Sequence, residues 1–131
     1  MKYDEKQLRQ YAYILAMYDT PSLFALLTLS DPELSKKIAR YHIMIIIVEA
    51  IIKTNSDKPT LVEIRDYMHS FIFKKTATNA EIEKKLEQYL PLMKINGLLD
   101  DKLLPTSLAR QAYSEKVIAA QANRSQSMEI N

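Results

Sequence analysis

Residues 60–110 read TLVEIRDYMHSFIFKKTATNAEIEKKLEQYLPLMKINGLLDDKLLPTSLAR, and the reading of this stretch decides the fold. Two Thr-x-x-Glu words, Thr60 with Glu63 and Thr78 with Glu81, stand just ahead of apolar-periodic runs. In each, the threonine oxygen can accept one of the N–H groups a helix start leaves unpaired, and the glutamate can reach back to the threonine N–H, so both predict helix starts. The first run carries Leu61, Ile64, Tyr67, Met68 and Phe71 at three- and four-residue steps; the second carries Ile82, Leu86, Tyr89, Leu90 and Met93 on one stripe. Pro91 falls inside the second run without the N–H an inner turn requires, which predicts a kink or a restart near Tyr89 or Leu90. The chain's one glycine, Gly97, follows, and its freedom to take positive φ suits a helix stop. Residues 98–104 then read as two very short apolar strands around the polar turn Asp100-Asp101-Lys102.

Outside this stretch the pattern is helical. Leu8, Tyr11, Ile14, Leu15 and Tyr18 recur at helical intervals and predict a helix over 2–18, closed by Asp19-Thr20-Pro21. A short apolar helix over 21–29 follows, and Asp31 with Pro32 then opens a long one over 32–53. Its centre, residues 43–48, is apolar on every side, which a helix tolerates only when other elements surround it. Asn55-Ser56-Asp57-Lys58-Pro59 is a turn by composition. After residue 105, Leu108, Ala112, Tyr113, Val117 and Ala120 predict a last helix over 106–122, and the polar residues 123–131 are expected to form a flexible tail.

With 131 residues and 47% hydrophobic content, residues 1–122 are expected to form one domain. Zero cysteines exclude disulfides, cysteine-ligated zinc and thiol nucleophiles. The first residues carry both charges and no apolar leader, so the expected location is cytoplasmic. The apolar run 43–52 is interrupted by Glu49 and is about half the length a membrane-spanning helix needs, so no membrane partner is expected. A formal charge of +2, from 18 basic and 16 acidic residues, exerts little long-range pull on nucleic acid, so any phosphate site must come from local arrangement.

Residues 60–113 resemble winged helix-turn-helix regulators of the MarR-like kind. Glu63-Ile64 matches the start of that family's first motif helix, Ile95-Asn96-Gly97-Leu98-Leu99 looks like its helix-to-strand exit, and Thr106-Ser107-Leu108-Ala109-Arg110 is similar to its closing Leu-Thr-x-x-Gly-Arg element. The resemblance implies a mainly α fold: a winged helix-turn-helix with a very short β-hairpin wing and flanking N- and C-terminal helices. It also implies a homodimer reading duplex DNA through the second motif helix. This sequence departs from that pattern in its long linker 69–77, in Ala109 where glycine is common, and in a wing tip of only Asp100, Asp101 and Lys102.

The DNA-contacting set expected is Lys74, Lys75, Thr78, Asn79, Lys84, Lys85 and Gln88, with lysines and Thr78 on phosphates and Asn79, Lys84 and Gln88 able to reach base edges. Glu81, Glu83 and Glu87 oppose them unless caps or ion pairs occupy them. The tyrosine-rich first helix and the last helix carry surplus apolar residues, so Tyr11, Ile14, Tyr18, Tyr113 and Val117 are the expected dimer contacts. His42 and His69 lack further ligands at metal spacing, and no Gly-x-Ser-x-Gly elbow or Gly-rich loop exists, so no metal, cofactor or catalytic residue is assigned. The other reading of this chain is a protein-interaction adaptor on the same fold, which suits the near-neutral charge and the acidic loop.

Overall fold

The computed structural model describes residues 3–130, with side chains described to Arg124. Helix accounts for 76% of the chain and no strand is present among the described residues, so the class is all-α. The helices are α1 (Glu5–Met17), α2 (Pro21–Ser30), α3 (Pro32–Thr54), α4 (Leu61–Tyr67), α5 (Asn79–Ile95) and α6 (Ser107–Ile130). Among the described residues no helix is long and apolar enough to cross a membrane.

The chain forms two compact units, one on Met44–Arg110 and the other on Asp4–Ile43 with the chain from Gln111 onward. In the second, Leu8, Ala12 and Ala16 of α1, Leu27 of α2, Ile38 and Tyr41 of α3 and Ala112 of α6 are buried. Tyr11 meets Tyr41 edge-on with ring centroids 5.0 Å apart. Asp4 caps α1: its carboxylate accepts from Gln7 N at 2.8 Å and Gln7 Oε1 accepts from Asp4 N at 3.1 Å; residue 2, where this helix was expected to begin, lies outside the described residues. Ser35, the one buried polar residue among those described, shares a 2.7 Å hydrogen bond with Thr28.

In the unit on Met44–Arg110, the buried residues Met44, Ile45, Ile47, Val48 and Ile51 of α3 join Ile64, Met68, Ile82, Leu86 and Met93 in the core. α4 packs on α5. Both threonine boxes form as read, with Thr60 Oγ1 accepting from Glu63 N at 3.2 Å and Thr78 Oγ1 from Glu81 N at 3.1 Å. The expected linker does not begin at residue 69: α4 continues as a π-helical turn, Met68–Ile72, in which Phe73 N donates to Met68 O at 2.8 Å. The linker to α5 is therefore shorter than the 69–77 segment read from sequence. α5 runs unbroken through Pro91, so the expected restart does not occur. Pro91 and Glu87, the residue whose carbonyl loses its partner, both lie on the exposed side, where water can take the missing bond.

Gly97 ends α5 as expected, at φ 79°, with Gly97 N donating to Lys94 O at 3.2 Å and Leu98 N to Met93 O at 2.8 Å. The expected two-stranded wing, however, reduces to a single antiparallel bridge, Leu99 with Pro105. Three local features stop it from lengthening. The Asp100 carboxylate captures Lys102 N at 2.8 Å and Leu104 N at 3.0 Å, folding the tip on itself with Leu103 at φ 64°. Pro105 has no N–H to donate to a ladder. On the other side, Gly97 is left-handed and Ser107 already belongs to α6, whose first turn Thr106 caps by accepting from Ala109 N at 3.3 Å. The helical backbone of α6 extends past residue 122, the expected start of a tail, to Ile130. Asn131 lies outside the described residues.

Candidate nucleic-acid interface

α5 presents two faces because its apolar residues share one stripe. At roughly 100° per residue, Ile82, Leu86, Tyr89, Leu90 and Met93 fall together and are buried, while Lys84 and Gln88 point away and are exposed, with Lys85 half-buried on their flank. Of the carboxylates expected to oppose them, two are already committed. Glu83 accepts from Arg65 Nη1 at 2.6 Å, and Arg65 also holds Asp66 at 2.9 Å. The hydrogen bond to Glu83, then that to Asp66, raises the Arg65 guanidinium above its ordinary range. Glu81 turns back into the cap, where the backbone N–H of Thr78 and then its hydroxyl hold the carboxyl below its usual range.

The cap changes the part Thr78 can play. Its hydroxyl donates to Glu81 Oε1 at 3.0 Å while accepting from Glu81 N, and Thr78 N also donates to Glu81 Oε1, at 3.2 Å. A carboxylate therefore already occupies the helix N-terminus where the sequence placed a phosphate, and Thr78 acts as a cap with no hydroxyl proton to spare. Asn79, the first residue of α5, is exposed beside it.

Lys74 and Lys75 sit in the turn before α5, both exposed and both left-handed, at φ 48° and 66°. Each such residue with a Cβ costs roughly 1–2 kcal/mol. The surrounding bonds hold them there: Lys75 N donates to His69 O and Thr76 N to Phe73 O, both at 2.8 Å. Backbone strain at a turn carrying two adjacent cations is a local conflict of the kind found at binding sites.

On the other flank of α5 lies a groove that sequence reading missed. It encloses about 410 Å³ between α4 and α5, with exposed Leu61 and Val62 on one wall, Leu90 and Pro91 on the other, and Arg65, Glu83 and Glu87 at its rim. Arg65 was the signal overlooked, because its partner Glu83 is 18 residues away and no local rule links them.

The residues expected at a dimer contact lie in the unit containing α1 and α6. Tyr11 packs on Tyr41, Ile14, Tyr18 and Tyr113 are half-buried, and Val117 is exposed. Tyr13, at 62% exposure, and Ile118, at 57%, are more open than any of them and were not in the expected set. No protein-family profile, curated protein or solved structure matches this chain.

Proposed function

We propose that α4 and α5 form a helix-turn-helix that binds duplex DNA, and that the protein is a small homodimeric transcriptional regulator with a wing reduced to a single bridge. The observation that carries this reading is the sorting of charge on α5. Glu83 is tied to Arg65 and Glu81 to its cap, while Lys84 and Gln88 face outward with Lys85 beside them. An outward helix face with lysine and amide side chains can reach phosphates and base edges in a major groove. Lys74 and Lys75 add phosphate contacts from the turn, Asn79 stands at the start of the helix, and Thr78 contributes by fixing the start of α5. Asp100 and Asp101 keep the 98–106 loop off the DNA backbone by repulsion.

Fluorescence anisotropy with duplex fragments, titrated with salt, tests the proposal. Binding should fall linearly in log–log form with salt, and Lys84→Glu with Lys85→Glu should weaken it at least about tenfold while reducing the salt slope by roughly two. Absence of binding at low salt by the folded protein, or an unaltered slope in the double variant, ends this reading.

The groove beside Leu61 and Val62 favours a second reading, an interaction module that takes up a partner's apolar side chains there. Under that reading the lysine double variant keeps its partner, and Val62→Glu loses it.

A further inference from the structure

The unit built on Asp4–Ile43 and the chain from Gln111 onward encloses its own cleft, independent of the proposed DNA-binding surface. It has a volume of about 630 Å³, within the range of pockets that hold small ligands. Leu15, Phe24 and Ile43 give it apolar walls. Its charged lining is Lys116 and Arg124 against one carboxylate, Asp19. We propose that this cleft binds a small monocarboxylate with an apolar tail, the tail lying against Leu15, Phe24 and Ile43 and the carboxylate held by Lys116 and Arg124.

Three features favour that class of ligand. The walls at Leu15, Phe24 and Ile43 suit an alkyl tail, which a sugar-like or multiply charged molecule lacks. The cationic excess selects an anion, and the bond it forms is charge-assisted. His42 also lines the cleft, and burial first, then the Lys116 charge, pushes its imidazole down to about 4, so near neutral pH it is an uncharged hydrogen-bonding group. A carboxylate placed there offsets the Lys116 field that the ring feels. The cleft is also braced: Asn123 Nδ2 donates to Ala16 O at 3.0 Å, joining α6 to α1 along its edge.

The test uses the full chain, isothermal titration calorimetry near pH 7, and two probes with the same chain length, octanoate and octan-1-ol. Octanoate should bind saturably, and about tenfold or more tighter than the alcohol. The double variant Lys116→Met with Arg124→Gln should bring octanoate down to the affinity of the alcohol and leave the alcohol unchanged. Ala120→Leu, at the cleft lining, should weaken both probes; circular dichroism establishes that it keeps its helices. Equal affinity for acid and alcohol, an octanoate affinity unmoved by the charge variant, or no saturable octanoate binding at millimolar concentrations would each overturn the proposal. The DNA titration above is a separate measurement, so the two proposals fail separately.

Discussion

α2 and α5 show how little apolar content alone decides burial. α2 places Leu23, Phe24, Leu26, Leu27 and Leu29 within ten residues, yet only Leu27 is buried and Leu29 is 81% exposed. α5 is rich in charged and amide side chains but buries Ile82, Leu86, Tyr89, Leu90 and Met93. The difference is angular. A helix of α2's length with apolar residues all round cannot cover them with one neighbour, whereas α5 gathers its apolar residues on one stripe and turns the rest outward. α5 can therefore be anchored on one side and carry polar recognition on the other, and α2 leaves an apolar surface.

Substitutions should split along this line. The largest effect is expected from Leu86→Ala in α5, about 2–5 kcal/mol of unfolding free energy, because a fully buried side chain leaves a cavity. Urea denaturation followed by circular dichroism measures it, and a loss below about 1 kcal/mol would break the contrast between the two helices.

The next effect is confined to the unit that contains α2. His42 titrates near 4 when folded, below its ordinary value of 6.5, with Lys116, Arg124 and Asp19 the charged groups lining the same cleft. The unfolded chain then binds the proton first, so stability is complete above about pH 6.5 and falls as pH drops toward 4, by about 2–3 kcal/mol allowing for partial exposure. His42→Gln should flatten that part of a stability-against-pH curve. An unchanged slope would mean the ring is not responsible.

Thr78→Ala should cost about 1 kcal/mol by freeing the α5 cap. If the hydroxyl served DNA instead, stability would hold and only binding would suffer. Leu26→Gln, on the open side of α2, should stay within about 0.5 kcal/mol of the parent. A larger loss that grows with protein concentration would indicate that the leucines of α2 are covered by a second copy of the chain.

What was readable in the sequence was local. The Thr60 and Thr78 boxes and the Gly97 stop each depend on groups within a few residues, and such rules survive any tertiary setting. The apolar stripe of α5 is equally plain, because its period is that of the helix. The wing misled because Leu98-Leu99 and Leu103-Leu104 have the composition of strands, while the Asp100 carboxylate and Pro105 turn the segment into a closed loop. For the site, lysines and amides could be named but not their company. The tie of Glu83 to Arg65 crosses 18 residues, and the left-handed backbone of Lys74 and Lys75 has no residue signature of its own. The cleft of the other unit draws on α1, α2, α3 and α6, and no pairwise spacing encodes it.

The π turn Met68–Ile72 holds about one residue more than α geometry would need, so the chain stores a small length of slack just ahead of the lysine pair. Deleting Ser70 would let the turn wind down to α form while the backbone on either side stays nearly in place, because the residue removed is the surplus one. The aim of those two cations is thus buffered against the loss of a single codon upstream, which the slack absorbs before it reaches either lysine.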